Sequence, residues 1–600
     1  MSRRANGQIR RSQAISTWGP GALLDLPHHA VIVGGLDSWP RIAHLEEVHE
    51  QRLARKIQQI TGVAAPRLYA PPAATNNPAD TPRGIGVWRF PEWFLVQEVA
   101  ATEERERSRR IVHRRALDER RRFEGLTVVP TRFVKACPKG HVSDLDWRQF
   151  VHGPHDGCTR QLWLDERGTS GDLIDLVVRC ACGKSRSLHE ATAIEARPLG
   201  TCTGDRPWLG TNASEPCNQP ARLLIRTASN AYFAQVLSVL SLPDRGSALQ
   251  TVVGELWDDL QIVQTAGELA FVKRKPRVAE LLAPFDDADV LAAIDERRTG
   301  RAIERDIKQV ELDSILAAPE GYGEDVPIDP DFHARRLPDR VWRRTDLSRG
   351  IEAVIQLHRL REVRALLGFT RFDAVTPDIH GEYDEDVERA QLALEPQWFP
   401  AVENRGEGIF VQLHAGAVRA WLERPEVEVR IDRLLDGHER WKQGHRSRTG
   451  RPFPGGPYVL LHTLSHLLIQ CVAMRCGYPA SSIRERVYAD EPGNRYGLLL
   501  YTGSPDAEGT LGGLVQEARH LEAHLAQALR LASLCSYDPV CAHHTPGASI
   551  EQRWLHGAAC HGCTLIAEPS CEMRNDYLDR ALVVPILGAT EAAFFDTPHD

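Results

Sequence analysis

The chain is 600 residues long with a formal net charge of -8, 42% hydrophobic and 26% charged residues. That composition is ordinary for a soluble globular protein, and the length exceeds what one core fills, so about three or four domains are expected. The acidic balance excludes a global positive field, so any contact with DNA must come from a local patch or a partner.

Thirteen cysteines fall mainly in two blocks, a pattern that reads as metal ligands in a reducing compartment and not as a disulfide framework. The start, Met-Ser-Arg-Arg-Ala-Asn-Gly, is basic but lacks an apolar h-region, so it does not read as a signal peptide and a cytoplasmic location is expected.

In chain order, the first region, 1–130, is read as α/β. A glycine-proline turn at Trp18–Pro27 precedes a short buried strand, Val31–Val33, that ends at Gly34-Gly35. Paired glycines after a strand mark a turn far more often than a phosphate cradle. Residues Glu103–Arg122, dense in arginine with interspersed Glu and Asp, predict a solvated helix with internal ion pairs.

The second region, 131–221, is read as zinc-binding. Apolar runs lead into Cys137-Pro-Lys-Gly140-His141 and into Cys180-Ala-Cys182-Gly183, so each cysteine is expected where a strand turns at a glycine, as in a zinc ribbon. The expected tetrad is Cys137, Cys158, Cys180 and Cys182, with His141 a replacement ligand or a donor behind the ligands. For Cys202 and Cys217 three readings stand: they join this site, form a second one, or are buried thiols. Gly183-Lys184-Ser185 resembles part of a phosphate-binding loop, but the earlier glycine that such a loop requires is Val178 here. No nucleotide is expected to bind.

Region 222–450 is read as mainly helical. Apolar residues at three-and-four spacing run through Tyr232–Leu240 and Ile351–Leu367, and an acidic, proline-containing linker is expected at Pro319–Pro330. A basic loop carrying Arg446, Arg448 and Arg451 near Trp441 is a candidate nucleic-acid contact, with plain surface solubility as the competing reading. No serine-histidine-aspartate order or carboxylate pair defines a catalytic site. His543-His544 lacks an accompanying His-Glu-x-x-His.

The last region, 451–600, opens with a helix from Tyr458 that stops at Gly477. Its apolar part is interrupted by His462, Thr463, Ser465 and His466 and is too short to span a membrane, so it reads as a buried helix. A strand at Leu498–Tyr501 and an amphipathic helix, Leu511–Ala532, follow. The helix leads into Cys535, Cys541, Cys560-His-Gly-Cys563 and Cys571. A Cys-x-x-Cys turn aims two thiolates at one point, and two further cysteines close a tetrahedron with no position left for water, so the site is read as structural zinc. A dithiol redox role needs a thioredoxin-like βαβ context, which is missing.

Leu461–His466, Leu511–Gly513, and Cys560–Cys563 with Cys571 and Asn575–Arg580 resemble the zinc-binding domain that closes MrfA-type superfamily 2 helicases. Arg10–Pro27, Val31–Leu36, Cys137–His141, Arg206–Gly210 and Leu366–Arg371 resemble the DrmB family of the DISARM anti-phage system. The resemblance implies a heterodimer with the helicase DrmA, to which the chain supplies a zinc domain in trans, and DNA bound through the complex. It maps a C-terminal tetrad onto Cys560, Cys563 and Cys571 plus an upstream cysteine, Cys541 in preference to Cys535.

The expectation is therefore an α/β (mixed α+β) multidomain protein with a zinc-ribbon-like insert, a helical middle and a C-terminal α/β zinc-binding domain. It would hold two structural zinc ions and act without catalysis of its own. The competing readings are a stand-alone zinc-dependent DNA-binding protein and a metal-dependent nucleic-acid hydrolase.

Overall fold

In the computed structural model, residues 7–26, 29–73, 84–97, 100–101, 106–154, 156–168, 170–242, 245–299, 306–321, 331–383, 387–444, 451–503, 513–547 and 553–596 are described. Helices and largely antiparallel sheets mix throughout. The chain forms two compact units, one built from residues 1–239, 363–377 and 383–403, the other from 240–362, 378–382 and 404–600. Two long strands, Ile351–Thr370 and Trp398–Leu413, carry the chain from one unit into the other.

The first unit holds three antiparallel sheets that position its cysteines. The strand expected at Val31 is present as His29–Val33 and pairs with Leu23–Leu26 and Val87–Arg89. Glu106–His113 pairs with Leu162–Arg167, which pairs with Leu176–Cys180. Phe133–Ala136 lies between Val142–Asp144 and Arg222–Ile225. Leu162, Leu164, Leu176 and Val178 of these strands pack with Trp147 and Phe150 in one core.

Part of the charged helix expected at Glu103–Arg122 is instead a strand, Glu106–His113, followed by a short 3-10 turn at Arg114–Ala116; residues 102–105 lie outside the described residues. The arginines there find acids across the sheet and not along a helix: Arg109 meets Glu166 at 2.7 Å. Ser108 and Arg179 both bond Asp165. Cross-strand pairing satisfies the same charges that i,i+4 pairing would.

The middle region is helical over Arg245–Thr299, Ile307–Leu316 and Ala415–Gly444. A capping box, Thr265 with Glu268, opens one of the short helices. The two stripes at Tyr232–Leu240 and Ile351–Leu367, however, belong to strands, Phe233–Ser241 and Ile351–Thr370. Ile351–Thr370 is buried on both faces over most of its length. A strand covered on both sides shows no alternation, so its apolar positions also satisfy a helical spacing.

In the second unit, Phe332–Arg336 pairs with Ile355–Leu360, and Gly408–Leu413 with Tyr496–Tyr501. Arg495–Thr502 in turn pairs along its whole length with Ile483–Asp490. Behind them runs the core helix Gly456–Cys476, entered through Gly455 and Pro457 and ended by Gly477 in the left-handed conformation at φ 71°. Every residue from Gly456 to Ile469 is buried. Among the described residues it is the one helix long and apolar enough to cross a membrane, and 78% of its apolar window is buried in the protein. A helix apolar all round belongs in a core when protein covers it. The helix Leu521–Ser533 packs on it.

Candidate metal centres

Among the described residues, eleven of the thirteen cysteines gather, some with histidines and one with a glutamate, into four groups, each with four ligand atoms within 4.8 Å of one another: Cys137, His141, Cys202 and Cys217; His152, Cys158, Cys180 and Cys182; Cys535, Cys541, Cys560 and Cys563; and His462, His466, Glu485 and Cys571. Donors at about 2.3 Å for sulfur and 2.0–2.1 Å for nitrogen around zinc stand roughly 3.8 Å apart for sulfur pairs and about 3.6 Å for sulfur with nitrogen. Those separations test each group.

In the first group, the strand Phe133–Ala136 delivers Cys137 into a turn at Gly140, φ 89°, whose amide donates to the Cys137 carbonyl at 3.0 Å. The turn brings His141 Nδ1 to 3.4 Å from Cys137 Sγ and 3.6 Å from Cys202 Sγ. Cys202 and Cys217 face each other because Cys202 N donates to Gln219 O and Glu215 N to Gly204 O across a narrow loop. His141 Nε2 meets Glu215 at 2.7 Å. A carboxylate behind the imidazole fixes Nδ1 as the ligand atom, as at zinc sites generally. The hydrogen bond between Cys137 and Cys202 pulls the Cys202 thiol down to about 4 and pushes the Cys137 thiol up, so one thiolate of the pair is favoured at the other's expense.

In the second group, Cys180 ends the strand Leu176–Cys180, and a turn at Gly183, φ 97°, returns the chain past Cys182. Cys158 and Cys180 sulfurs are 3.7 Å apart. His152, the last residue of the helix Trp147–His152, has a buried side chain whose Nε2 has no hydrogen-bond partner, while Nδ1 lies 3.9 Å from Cys182 Sγ. Lys184, part of the rejected phosphate motif, pairs with Asp156 at 2.8 Å.

The structure therefore does not assemble the expected tetrad. Cys137 joins His141, Cys202 and Cys217, whereas Cys158, Cys180 and Cys182 gather around His152. The physical reason is that Phe133–Ala136 and Leu176–Cys180 belong to different sheets.

In the third group, Sγ separations are 3.5 Å for Cys535–Cys560, 3.7 Å for Cys541–Cys563 and 3.6 Å for Cys560–Cys563. These match the edges of a four-thiolate tetrahedron. The amides of Tyr537 and Gly562 donate to the sulfurs two residues earlier, at 3.4 and 3.3 Å. The bond from Cys541 pulls the Cys563 thiol down to about 5. Asp538 ties the loop together, accepting from Cys535 N and Ala542 N and pairing with the buried Arg580. The structure brings both Cys535 and Cys541 together with Cys560 and Cys563, and leaves Cys571 outside that group. Its Sγ lies instead 3.1 Å from His462 Nε2 in the fourth group.

His152, His462, His466 and Glu485 join the cysteines as candidate ligands that the sequence reading does not include. The i,i+4 spacing of His462 and His466 on one helix was a usable signal. His152 carries none. Arg446 and Arg448 lie outside the described residues. Arg451 is half-buried, its guanidinium 5.3 Å over the Tyr577 ring. His544 bonds the Arg553 carbonyl and belongs to none of the four groups.

Residues 464–564 match the model of the MrfA Zn-binding domain, a span that contains all four members of the Cys535 group and excludes Cys571. Residues 10–233 match a domain of unknown function, DUF8724. Over 488 residues the chain is 32% identical to DISARM protein DrmB of Bacillus paralicheniformis, covering 78% of this chain and 82% of that one.

Proposed function

The chain belongs to the DrmB family of DISARM defence proteins, and on that footing we propose that it is a non-catalytic accessory subunit that forms a heterodimer with the helicase DrmA in the cytoplasm. It supplies a zinc domain in trans and helps the pair hold DNA. The observation that carries this reading is the closure of the three thiolate-rich groups. Each offers four protein donors, so a zinc ion held there has no free position for water and organises loops instead of activating a nucleophile. Zinc in the Cys535 group would fix the loop from Cys535 to Cys541 against Cys560–Cys563; zinc in the other two would fix the strand ends at Cys137 and Cys180.

That C-terminal loop supports a docking role for the helicase. Leu531, Leu534, Tyr537 and Val540 are large apolar side chains left 52–77% exposed within ten residues of chain. Apolar groups concentrated in this way mark interaction sites. With a net charge of -8, the isolated chain draws DNA weakly. Arg446, Arg448 and Arg451 are assigned to contact the backbone of DNA held by the pair.

The test is co-expression of the tagged chain with the DrmA helicase, followed by size-exclusion chromatography. Wild type is expected to co-elute with the helicase, and a Leu534→Asp, Val540→Asp variant to elute apart with its zinc content unchanged. A folded, zinc-loaded wild-type chain that elutes alone would sink the accessory reading and favour a stand-alone DNA-binding role.

A further inference from the structure

The fourth group lies in the heart of the second unit, and its ligands come from three separate places in the chain. His462 and His466 stand one turn apart on the core helix Gly456–Cys476. Glu485 comes from the strand Ile483–Asp490, and Cys571 from the loop beyond the MrfA-like domain. The side chains of His462, His466 and Glu485 have no exposure to solvent. Glu485 Oε1 lies 2.9 Å from His462 Nε2 and 3.2 Å from His466 Nε2.

The outer faces of these ligands decide what the centre can hold. His462 Nδ1 lies 3.3 Å from the Tyr577 carbonyl and His466 Nδ1 2.9 Å from the Thr564 carbonyl. A carbonyl only accepts, so both Nδ1 atoms carry hydrogens, and in neutral rings both Nε2 atoms present lone pairs inward. There they meet a carboxylate oxygen and a sulfur, which also present lone pairs. Without a cation the cluster closes only by taking up protons, on the imidazoles, whose centroids are 4.6 Å apart, on the Cys571 thiol or on the Glu485 carboxyl. A divalent ion resolves the arrangement. Its two positive charges balance one thiolate and one carboxylate, so the buried unit is neutral, the condition under which charge is tolerated away from water.

Two backbone amides face the Cys571 sulfur, against the burial and the neighbouring Glu485 that push its thiol up. The amides of Met573 and Asn575 donate to its Sγ at 3.4 and 3.1 Å. The first repeats the two-residue amide-to-sulfur turn seen at Cys535 and Cys560. Arg574, Asn575 and Tyr577 all adopt positive φ, 54°, 64° and 59°, a backbone cost that surrounding structure must over-determine and that concentrates at ligand-holding loops. The donor separations run a few tenths of an ångström under the edges of a metal tetrahedron, about 3.4 Å for nitrogen with oxygen and 3.6 Å with sulfur. Small side-chain rotations supply that opening.

We propose that His462, His466, Glu485 and Cys571 bind a divalent metal ion of their own, separate from the thiolate-rich groups. Two imidazole nitrogens, one carboxylate and one thiolate in a closed four-donor set suit zinc. The ion pins the core helix to the sheet strand and to the loop after the zinc domain. The role is structural, since no donor position is left for a substrate.

Native mass spectrometry of the intact full-length chain counts the ions. Cys571→Ala is expected to carry one ion fewer than wild type, Cys535→Ala likewise one fewer, and the double variant two fewer. Equal counts for wild type and Cys571→Ala, with Cys535→Ala still one short, would remove the proposed site and leave the zinc domain standing. Should Cys571→Ala not fold, cadmium NMR of the wild-type chain produced in cadmium decides. The mixed site gives a resonance well upfield of those from the thiolate-rich groups, because shielding rises as sulfur donors are replaced by nitrogen and oxygen. Thiolate-type resonances alone overturn the proposal.

Discussion

Asp144 shows how a single buried carboxyl next to a ligand strand makes stability depend on pH. It sits at the end of Val142–Asp144, and both its oxygens accept from Glu92 N at 3.1 Å. Burial nevertheless pushes its carboxyl up to about 7, from an ordinary 3.8. The folded state thus holds a proton that the unfolded chain releases at lower pH. The contribution is complete below the unfolded value and is lost as pH rises through the folded one. Between pH 5 and pH 8 this costs about 2–3 kcal/mol, at roughly 1.4 kcal/mol per unit. Asp144→Asn keeps the shape and removes the proton. The difference in unfolding free energy between variant and wild type, followed by denaturant titration, should therefore move in the variant's favour across that range. A difference independent of pH would show that the group does not titrate there. Residue by residue, the sequence made the cysteines visible as ligands but not their grouping. Cys-x-x-Cys fixes two sulfurs locally, and the Cys560 and Cys563 sulfurs stand 3.6 Å apart. The choice between Cys535, Cys541 and Cys571 depends on where the helix Leu521–Ser533 ends and on which way the loop to Asn575 turns, and neither leaves a spacing signature.

The core helix Gly456–Cys476 was legible as an element because its length, its entry through Pro457 and its stop at Gly477 are local signals. What it carries was less so, since a histidine on a buried helix reads equally as core or as ligand. Leu464 stands between the two histidines, fully buried in the large core cluster of the second unit. Leu464→Ala should cost about 2–5 kcal/mol, measured as a lowered denaturant midpoint with unchanged slope. A cost below about 1 kcal/mol would mean that the helix face is looser than its burial implies. The strands Phe233–Ser241 and Ile351–Thr370 were misread for the opposite reason. In Phe233–Ser241 the buried positions do alternate, at Gln235, Leu237 and Val239, but its apolar residues also satisfy a helical spacing. Ile351–Thr370 is covered on both faces, so the period-two signal that exposes a strand is erased, while glutamates and arginines inside look like a helix surface. Glu362 is one of them; it is buried, and it meets Arg484 at 3.1 Å and Tyr501 at 2.9 Å, from strands distant in sequence. Such long-range pairings are what a one-dimensional pattern cannot carry.

At the scale of the whole molecule, the candidate centres differ in how open they are, and that difference orders their response to chelation. Cys182 is exposed and Cys158 half-buried, whereas three of the four donors around Cys137 are buried. The Cys535 group is intermediate, with Cys535 and Cys560 half-buried and Cys541 and Cys563 buried. The members of the His462 group are all buried. A chelator removes an ion through transient displacement of its most accessible ligand, and thiolates released in this way are trapped by protonation. Metal should therefore leave in phases: first from the His152–Cys182 group, later from the Cys535 group, and last from the core, where release requires local unfolding of the second unit. The count of ions per chain against time in chelator, read by native mass spectrometry, checks the order. Cys182→Ser should lack the first phase and keep the later ones. Because the first and last groups belong to different units, early loss should leave the fluorescence of tryptophans in the second unit, such as Trp421 and Trp342, unchanged until the final phase. Simultaneous loss of every ion, with one change in fluorescence, would mean that the centres do not hold their own loops independently and that the chain depends on its metals as a single cooperative body.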